Sequence, residues 1–212
     1  MNIADIRKDY RLAALDEAAA GADPLAFFRQ WFTEAEAAQI TEINAMTLAT
    51  ADTQRRPHAR IVLLKGLDER GFVFFTNYDS NKGQEIEANP QVALLFFWKE
   101  LERQVRIEGK IEKVSSADSD TYFNSRPAGS RLGAWASPQS RKIDQRNILD
   151  LNYARYEAEF SDVDIPRPEH WGGYRVCPDK IEFWQGRASR MHDRILFEQN
   201  EAGAWSRSRL AP

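Results

Sequence analysis

The chain has 212 residues, 42% hydrophobic and 29% charged, with a formal net charge of −3. That is enough apolar material for a core, and the charge balance gives no reason to expect disorder or nucleic acid as the main partner. The longest apolar run, Val92 to Trp98, is seven residues against the ~20 of a membrane span, and the lone Cys177 excludes an intrachain disulfide or a thiolate metal cluster.

At roughly 100–200 residues per domain, the length favours one domain over 1–212. The opening MNIADIRKDYRLAALDEA mixes charges throughout, so no secretion signal is expected and a cytoplasmic location is. Its first twenty or so residues read as a weakly apolar helical arm. Asp23-Pro24 starts a stronger helix, with Asp as N-cap, Pro at the first position and apolar Leu25, Phe28, Trp31, Phe32 and Ala35. The pattern then turns to strands: 45–51, 59–65, 72–76, 91–97 and 104–114 are short, β-branched or aromatic, and separated by turn residues. A short helix, 81–88, sits between the third and fourth and is stopped by Asn89-Pro90. Residues 116–160 look helical with interruptions near Pro127 and Pro138, and strands return at 172–178, 180–186, 194–199 and 204–210. The expected fold is mainly β with peripheral helices, an antiparallel barrel or sandwich.

Three clusters could carry chemistry. Arg60 and Lys65 end one strand, and Ser80 is placed to cap the 81–88 helix, which puts Lys82 in its first turn. The helix dipole disfavours a cation there unless an anion sits at the helix start; otherwise Lys82 is an ordinary solvated lysine. Tyr122, Arg126 and Ser130 are spaced by four and share a helical face only if the helix continues through Pro127. Together they would suit a phosphate dianion. Gln139-Ser140, after Pro138, reads on its own as a helix cap. In the tail, Arg190, His192 and Arg194 alternate and would share one strand face, opposite Met191 and Asp193. Three potential cations on one face call for an anion or a carboxylate between them, and Trp184 offers a flat wall for a ring.

His58 and His170 are isolated, no spacing suggests a metal site, and neither G-x-G-x-x-G nor a P-loop occurs. Asp68 to Gly71 reads as a turn between strands.

The segment IEFWQGRASRMHDR, residues 181–194, resembles the signature of the pyridoxamine/pyridoxine 5′-phosphate oxidases. The likeness extends colinearly through RIVLLKG (60–66), FFTNYDSNKG (74–83), LERQVRIEG (101–109), YFNSRP (122–127), GAWASPQS (133–140), WGGYRV (171–176) and the closing RLAP. It implies an FMN-binding split β-barrel, a homodimer with FMN at its interface, and oxidation of pyridoxamine or pyridoxine 5′-phosphate to pyridoxal 5′-phosphate with oxygen reduced to hydrogen peroxide. By the same resemblance, Arg60, Ile61, Val62, Leu63, Leu64, Lys65, Phe75, Thr76, Lys82, Gln104, Gln139, Ser140, Trp184 and Arg194 would hold FMN. Lys65, Tyr122, Arg126 and Ser130 would bind the substrate phosphate, and Arg190, Met191 and His192 would lie over the pyridine ring, with Arg190 and His192 catalytic. Arg7 and Tyr10 resemble the family's N-terminal arm that closes over the substrate. Many relatives carry Arg where this chain has Asn81, so one contact to the FMN phosphate is absent, an expected loss of ~1–2 kcal/mol. Two rival readings stand beside this one: another split-barrel flavin reductase, and a non-catalytic binder of FMN or pyridoxal phosphate.

Overall fold

The computed structural model describes residues 2–5 and 8–212. Arg7, expected to contact substrate, lies outside the described residues.

Among the described residues, nine strands form one antiparallel sheet: β1 Ala45–Ala51, β2 Pro57–Leu63, β3 Gly66–Asp68, β4 Gly71–Asn77, β5 Gln91–Trp98, β6 Arg103–Lys113, β7 Trp171–Gln185, β8 Asp193–Gln199 and β9 Trp205–Leu210. Their order is β2-β1-β5-β6-β7-β4-β3, with β8 added to β7 and β9 to β8. β7 pairs with β6 through residues 174–185, with β4 through 171–176 and with β8 through 180–185. It therefore serves both halves of what is the expected split barrel.

The helices are α1 Glu17–Ala20, α2 Pro24–Ala37, α3 Asn81–Ala88, α4 Ser116–Asn124, α5 Ala128–Ala136 and α6 Asn147–Glu159. α2 starts where Asp23 accepts the N–H groups of Leu25 and Ala26 at 2.8 and 3.2 Å, with Pro24 at its first position. Its buried residues Leu25, Phe28, Trp31 and Ala35 recur at helical spacing, Phe27 joins them, and Phe32 is only partly covered. Phe28 is fully buried, with ring centroids of Phe72 and Phe96 at 4.9 and 5.0 Å. α2 thus closes the sheet face that carries Leu48, Leu94, Val105, Ile107, Ile181 and Phe183.

The opposite face is open. Ile61 is 64% exposed and Phe97 is 52% exposed. In register across β5 to β8, Phe97 faces Gln104, Gln104 faces Trp184, and Trp184 faces Arg194.

Two expectations fail locally. The N-terminal helical arm is a 3-10 turn at Ile3–Asp5 and the single turn α1, with no helix over residues 8–16. The backbone N–H groups of Arg11, Leu12 and Leu15 are taken by carboxylates of Glu102 and Asp193 instead of by helical carbonyls. The strands expected at 172–178 and 180–186 are one strand, because Pro178 lies beside a register shift between Glu108 and Gly109, where a missing N–H is tolerated.

Phe28→Ala should cost ~3–5 kcal/mol, as expected for a fully buried ring that leaves a cavity. Urea unfolding should show a lower midpoint at unchanged slope.

Candidate active site

A cleft of about 530 Å³ opens beside β2 and β4. It is lined by Ile61, Val62, Leu63 and Lys65 from β2 and its end, Phe75 and Thr76 from β4, and Lys82 from the start of α3. Tyr122, Arg126, Ser130 and Gln139 complete its far wall. The helix does break here: α4 ends at Asn124, and Pro127 stands at the N-cap position of α5. The break still leaves Tyr122, Arg126 and Ser130 on one cavity.

The cleft contains Lys65, Lys82 and Arg126 and is lined by no Asp or Glu among the described residues. Burial, reinforced by the like charge of Arg60, holds Lys82 below the ordinary lysine range. Burial also lowers Arg126, whose Nη1 is buried without a hydrogen-bond partner. A buried donor left unmet costs roughly 1–3 kcal/mol, more when charged, so an anion is the natural complement of this wall. Lys82 Nζ donates to the Gln139 side-chain carbonyl at 3.2 Å, and the Thr76 hydroxyl reaches the same oxygen at 3.4 Å. Phe75 and Tyr122 stack at 3.9 Å, Trp171 stacks on Phe75 at 5.6 Å, and the Arg126 guanidinium lies 4.6 Å over Trp171. An aromatic wall beside cationic ends suits a flat phosphorylated ring system.

Other expected residues lie outside this lining. Arg60 hydrogen-bonds Glu85 at 3.1 Å and also engages Thr50 and the Leu48 carbonyl. Leu64 is buried and faces a separate groove with Phe28 and Phe32. Ser140 is exposed with φ +69°, and no helix begins at it. The cap reading of Gln139-Ser140 is therefore corrected: 141–145 is irregular, and α6 starts later without a side-chain cap.

The tail residues form a second cluster. Arg190, His192 and Arg194 do not alternate along a strand: Ala188–Arg190 is a 3-10 turn, Ser189 and Arg190 have φ of 55° and 61°, and β8 begins only at Asp193. The left-handed pair turns the chain, so strand periodicity does not apply before Asp193. Arg194 is held by both oxygens of the buried Glu182, at 2.8 and 3.0 Å. His192 Nδ1 accepts the Arg187 N–H at 3.1 Å, which assigns a neutral ring's proton to Nε2. The His192 ring lies 4.6 Å from Trp184 and 6.2 Å from Tyr10. Met191 is 66% exposed, and Arg190 makes no ion pair among the described residues.

Sequence reasoning missed Asn77, Gly133, Ala134, Ser137 and Trp171 in the cleft lining. Trp171 is buried in a small core cluster with Phe123, Leu132 and Ile165 and lines the cleft as well; the one signal for that second role was its place before two glycines, which leave room for Phe75 and Tyr78.

Residues 32–159 match the family model described as pyridoxamine 5′-phosphate oxidase, and residues 171–212 match the pyridoxine 5′-phosphate oxidase C-terminal dimerisation region. The pyridoxine/pyridoxamine 5′-phosphate oxidase 1 of Ralstonia nicotianae is 59% identical over 211 residues, covering 100% of this chain and 99% of that one. Among solved structures, PhzG from Burkholderia lata 383, in complex with tetrahydrophenazine-1-carboxylic acid, superposes with a TM-score of 0.88 at 28% identity, covering 95% and 99% of the two chains. A pyridoxamine 5′-phosphate oxidase-related, FMN-binding protein from Nostoc punctiforme shares the fold, with a TM-score of 0.70 at 19% identity over 87% and 97%.

Replacing Arg126 by Met should leave the apoprotein's melting temperature unchanged or higher, because an unmet buried donor disappears. Affinity for phosphate monoesters should fall roughly 10- to 100-fold by titration calorimetry. A large drop in melting temperature would instead make Arg126 structural.

Proposed function

Because this chain belongs to the pyridoxamine 5′-phosphate oxidase family, we propose that it oxidises pyridoxamine 5′-phosphate and pyridoxine 5′-phosphate to pyridoxal 5′-phosphate, with FMN as cofactor and oxygen as electron acceptor. The observation that carries this reading is the carboxylate-free cleft with its unmet Arg126 donor and stacked aromatic wall. Two phosphates need two anion sites. Lys82, Thr76 and Gln139 form one candidate, for FMN, with Ile61, Val62, Leu63 and Phe75 beside it. Lys65, Tyr122, Arg126 and Ser130 form the other, for the substrate phosphate.

When bound, FMN supplies the two-electron redox chemistry that ends in hydrogen peroxide. The protein's own task is to hold the substrate carbon against it and to exclude water. Arg190 would sit over the pyridine ring and stabilise charge developing there, Met191 would line the ring, and His192 would orient the substrate or move a proton through Nε2.

The second cluster would act on a second copy. β7 has 15 residues, which at about 3.3 Å each spans roughly 45 Å. Trp171 of the cleft and Trp184 of the tail stand near its opposite ends. We read the chain as a homodimer in which Gln104, Trp184 and Arg194, in register on the open face, meet the partner's cleft. The exposed Ile61, Leu63 and Phe97 supply apolar area for that contact. The 171–212 family model, described as a dimerisation region, supports it.

Mixing yellow holoprotein with pyridoxine 5′-phosphate in air should release pyridoxal 5′-phosphate and peroxide together. A reductase for another substrate would leave the vitamer unchanged, and a storage protein would bind without turnover. Arg190→Ala should lower kcat/KM by roughly 100-fold or more while FMN retention stays near wild type; unchanged turnover would remove the assignment. Asn81, exposed at the first position of α3, leaves a place for a charged contact. Asn81→Arg should tighten FMN binding by ~1–2 kcal/mol, read by fluorescence titration.

A further inference from the structure

Glu102 lies outside the cleft and follows the 3-10 turn Lys99–Leu101. It is 6% exposed and left-handed, with φ 55°. A buried carboxylate is costly unless hydrogen-bonded. Its Oε2 accepts the backbone N–H groups of Arg11 and Leu12 at 2.9 and 3.0 Å, and Oε1 lies 3.4 Å from Lys8 Nζ. Its backbone carbonyl accepts the Gly186 N–H at 2.7 Å and the Gln185 side-chain amide at 3.2 Å. The side chain thus holds the arm, while the backbone holds the segment leading to His192.

Tyr10 lies between these two attachments. Its ring meets Trp184 edge-on at 5.8 Å and is 6.2 Å from His192. Gly186 makes the seat possible, since a Cβ there would come within 2.7 Å of the Tyr10 ring. Asp193 has a parallel contact further along, accepting the Leu15 N–H at 3.0 Å. Without the Glu102 carboxylate, the arm would keep the Leu15 bond and the exposed 3.2 Å bond from the Ser189 N–H to Asp9, but lose both backbone anchors that directly follow Tyr10.

We propose that Glu102 is a positioning residue: its carboxylate seats residues 8–12 so that Tyr10 packs against the Trp184–His192 turn and closes the substrate side of it. This rests on the assignment of that turn to the substrate made above. All the partners of the side chain lie in the arm, so its loss should free the arm and leave the sheet intact.

The test uses FMN-loaded protein with Glu102→Asn, which tolerates the left-handed backbone but is too short to reach the arm. Chymotrypsin cleavage after Tyr10, whose following N–H is one of the clamped pair, should accelerate roughly tenfold as local opening becomes easier. The KM for pyridoxine 5′-phosphate should rise by a similar, roughly tenfold factor with a smaller change in kcat and unchanged FMN retention. Glu102→Gln, which keeps an acceptor at the same reach, should recover most of both effects. Leu12→Pro removes one clamped N–H without touching Glu102, at a side chain already exposed, and should reproduce the phenotype even where Glu102→Asn does not fold. Unchanged cleavage in Glu102→Asn, or in Leu12→Pro where Glu102→Asn does not fold, overturns the clamp. Faster cleavage with unchanged KM overturns the positioning role. If the wild-type protein does not oxidise the vitamer at all, the assigned function falls, while the cleavage rates still judge the clamp.

Discussion

β7 runs unbroken for 15 residues because Pro178, inside it, sits where β6 shifts register between Glu108 and Gly109. Gly109 is required at that crossing: a Cβ would lie 2.2 Å from the Cys177 carbonyl oxygen, closer than any side chain allows. The shift lets one strand pair with β4 at its start and with β8 at its end. The two functional clusters are consequently fixed to opposite ends of a single rigid element. That separation within one chain is the distance the proposed dimer would bridge.

The two ends solve opposite electrostatic problems. Around the tail, the cations flanking Arg190 are neutralised internally: Arg194 by Glu182, Arg187 and Arg209 by Asp193, and Arg209 also by Glu17. The hydrogen bonds that Arg194 donates to Glu182 raise the guanidinium above its ordinary range. That end is preorganised, with its guanidinium planes set by carboxylates before any ligand arrives. At the cleft, Lys65, Lys82 and Arg126 face no carboxylate in the lining, and burial pushes Lys82 and Arg126 toward their neutral forms. A cationic wall without a counter-ion is a site whose electrostatics are completed by its ligand.

Much of this was legible in the sequence where the signal was local. The α3 boundaries, the α2 cap at Asp23 and most strands follow from spacing and turn residues, because each depends on its near neighbours. The convergence of Tyr122, Arg126 and Ser130 was legible in outline, although Pro127 breaks the helix whose single face was considered as the route to it. What failed depended on contacts distant in sequence or on backbone sign. Alternation at 190–194 suggests a strand, but φ of 55° at Ser189 and 61° at Arg190 is not visible in residue types that usually avoid the left-handed region. Trp171 both packs in a core cluster and walls the cleft, a double role that an aromatic beside glycines does not announce.

The arm shows the same limit from the other side. Residues 8–15 were expected to be helical on composition, yet their backbone donors are satisfied by Glu102 and Asp193, about 90 and 180 positions away. Backbone donors carry no sequence information, so nothing within the arm's own residues announces where it lies. The information is stored in the acceptors, one of them a buried carboxylate in a left-handed turn and the other at the first residue of β8. Such an attachment is strong enough to hold an extended segment, since each bond to a charged acceptor contributes about 1.5–3 kcal/mol. It also lacks the apolar burial that would make the segment permanent: of residues 8–15, only Leu15 is buried. A strap fixed by polar bonds at both ends and weakly packed between them suits a surface that must both admit and retain a small charged substrate.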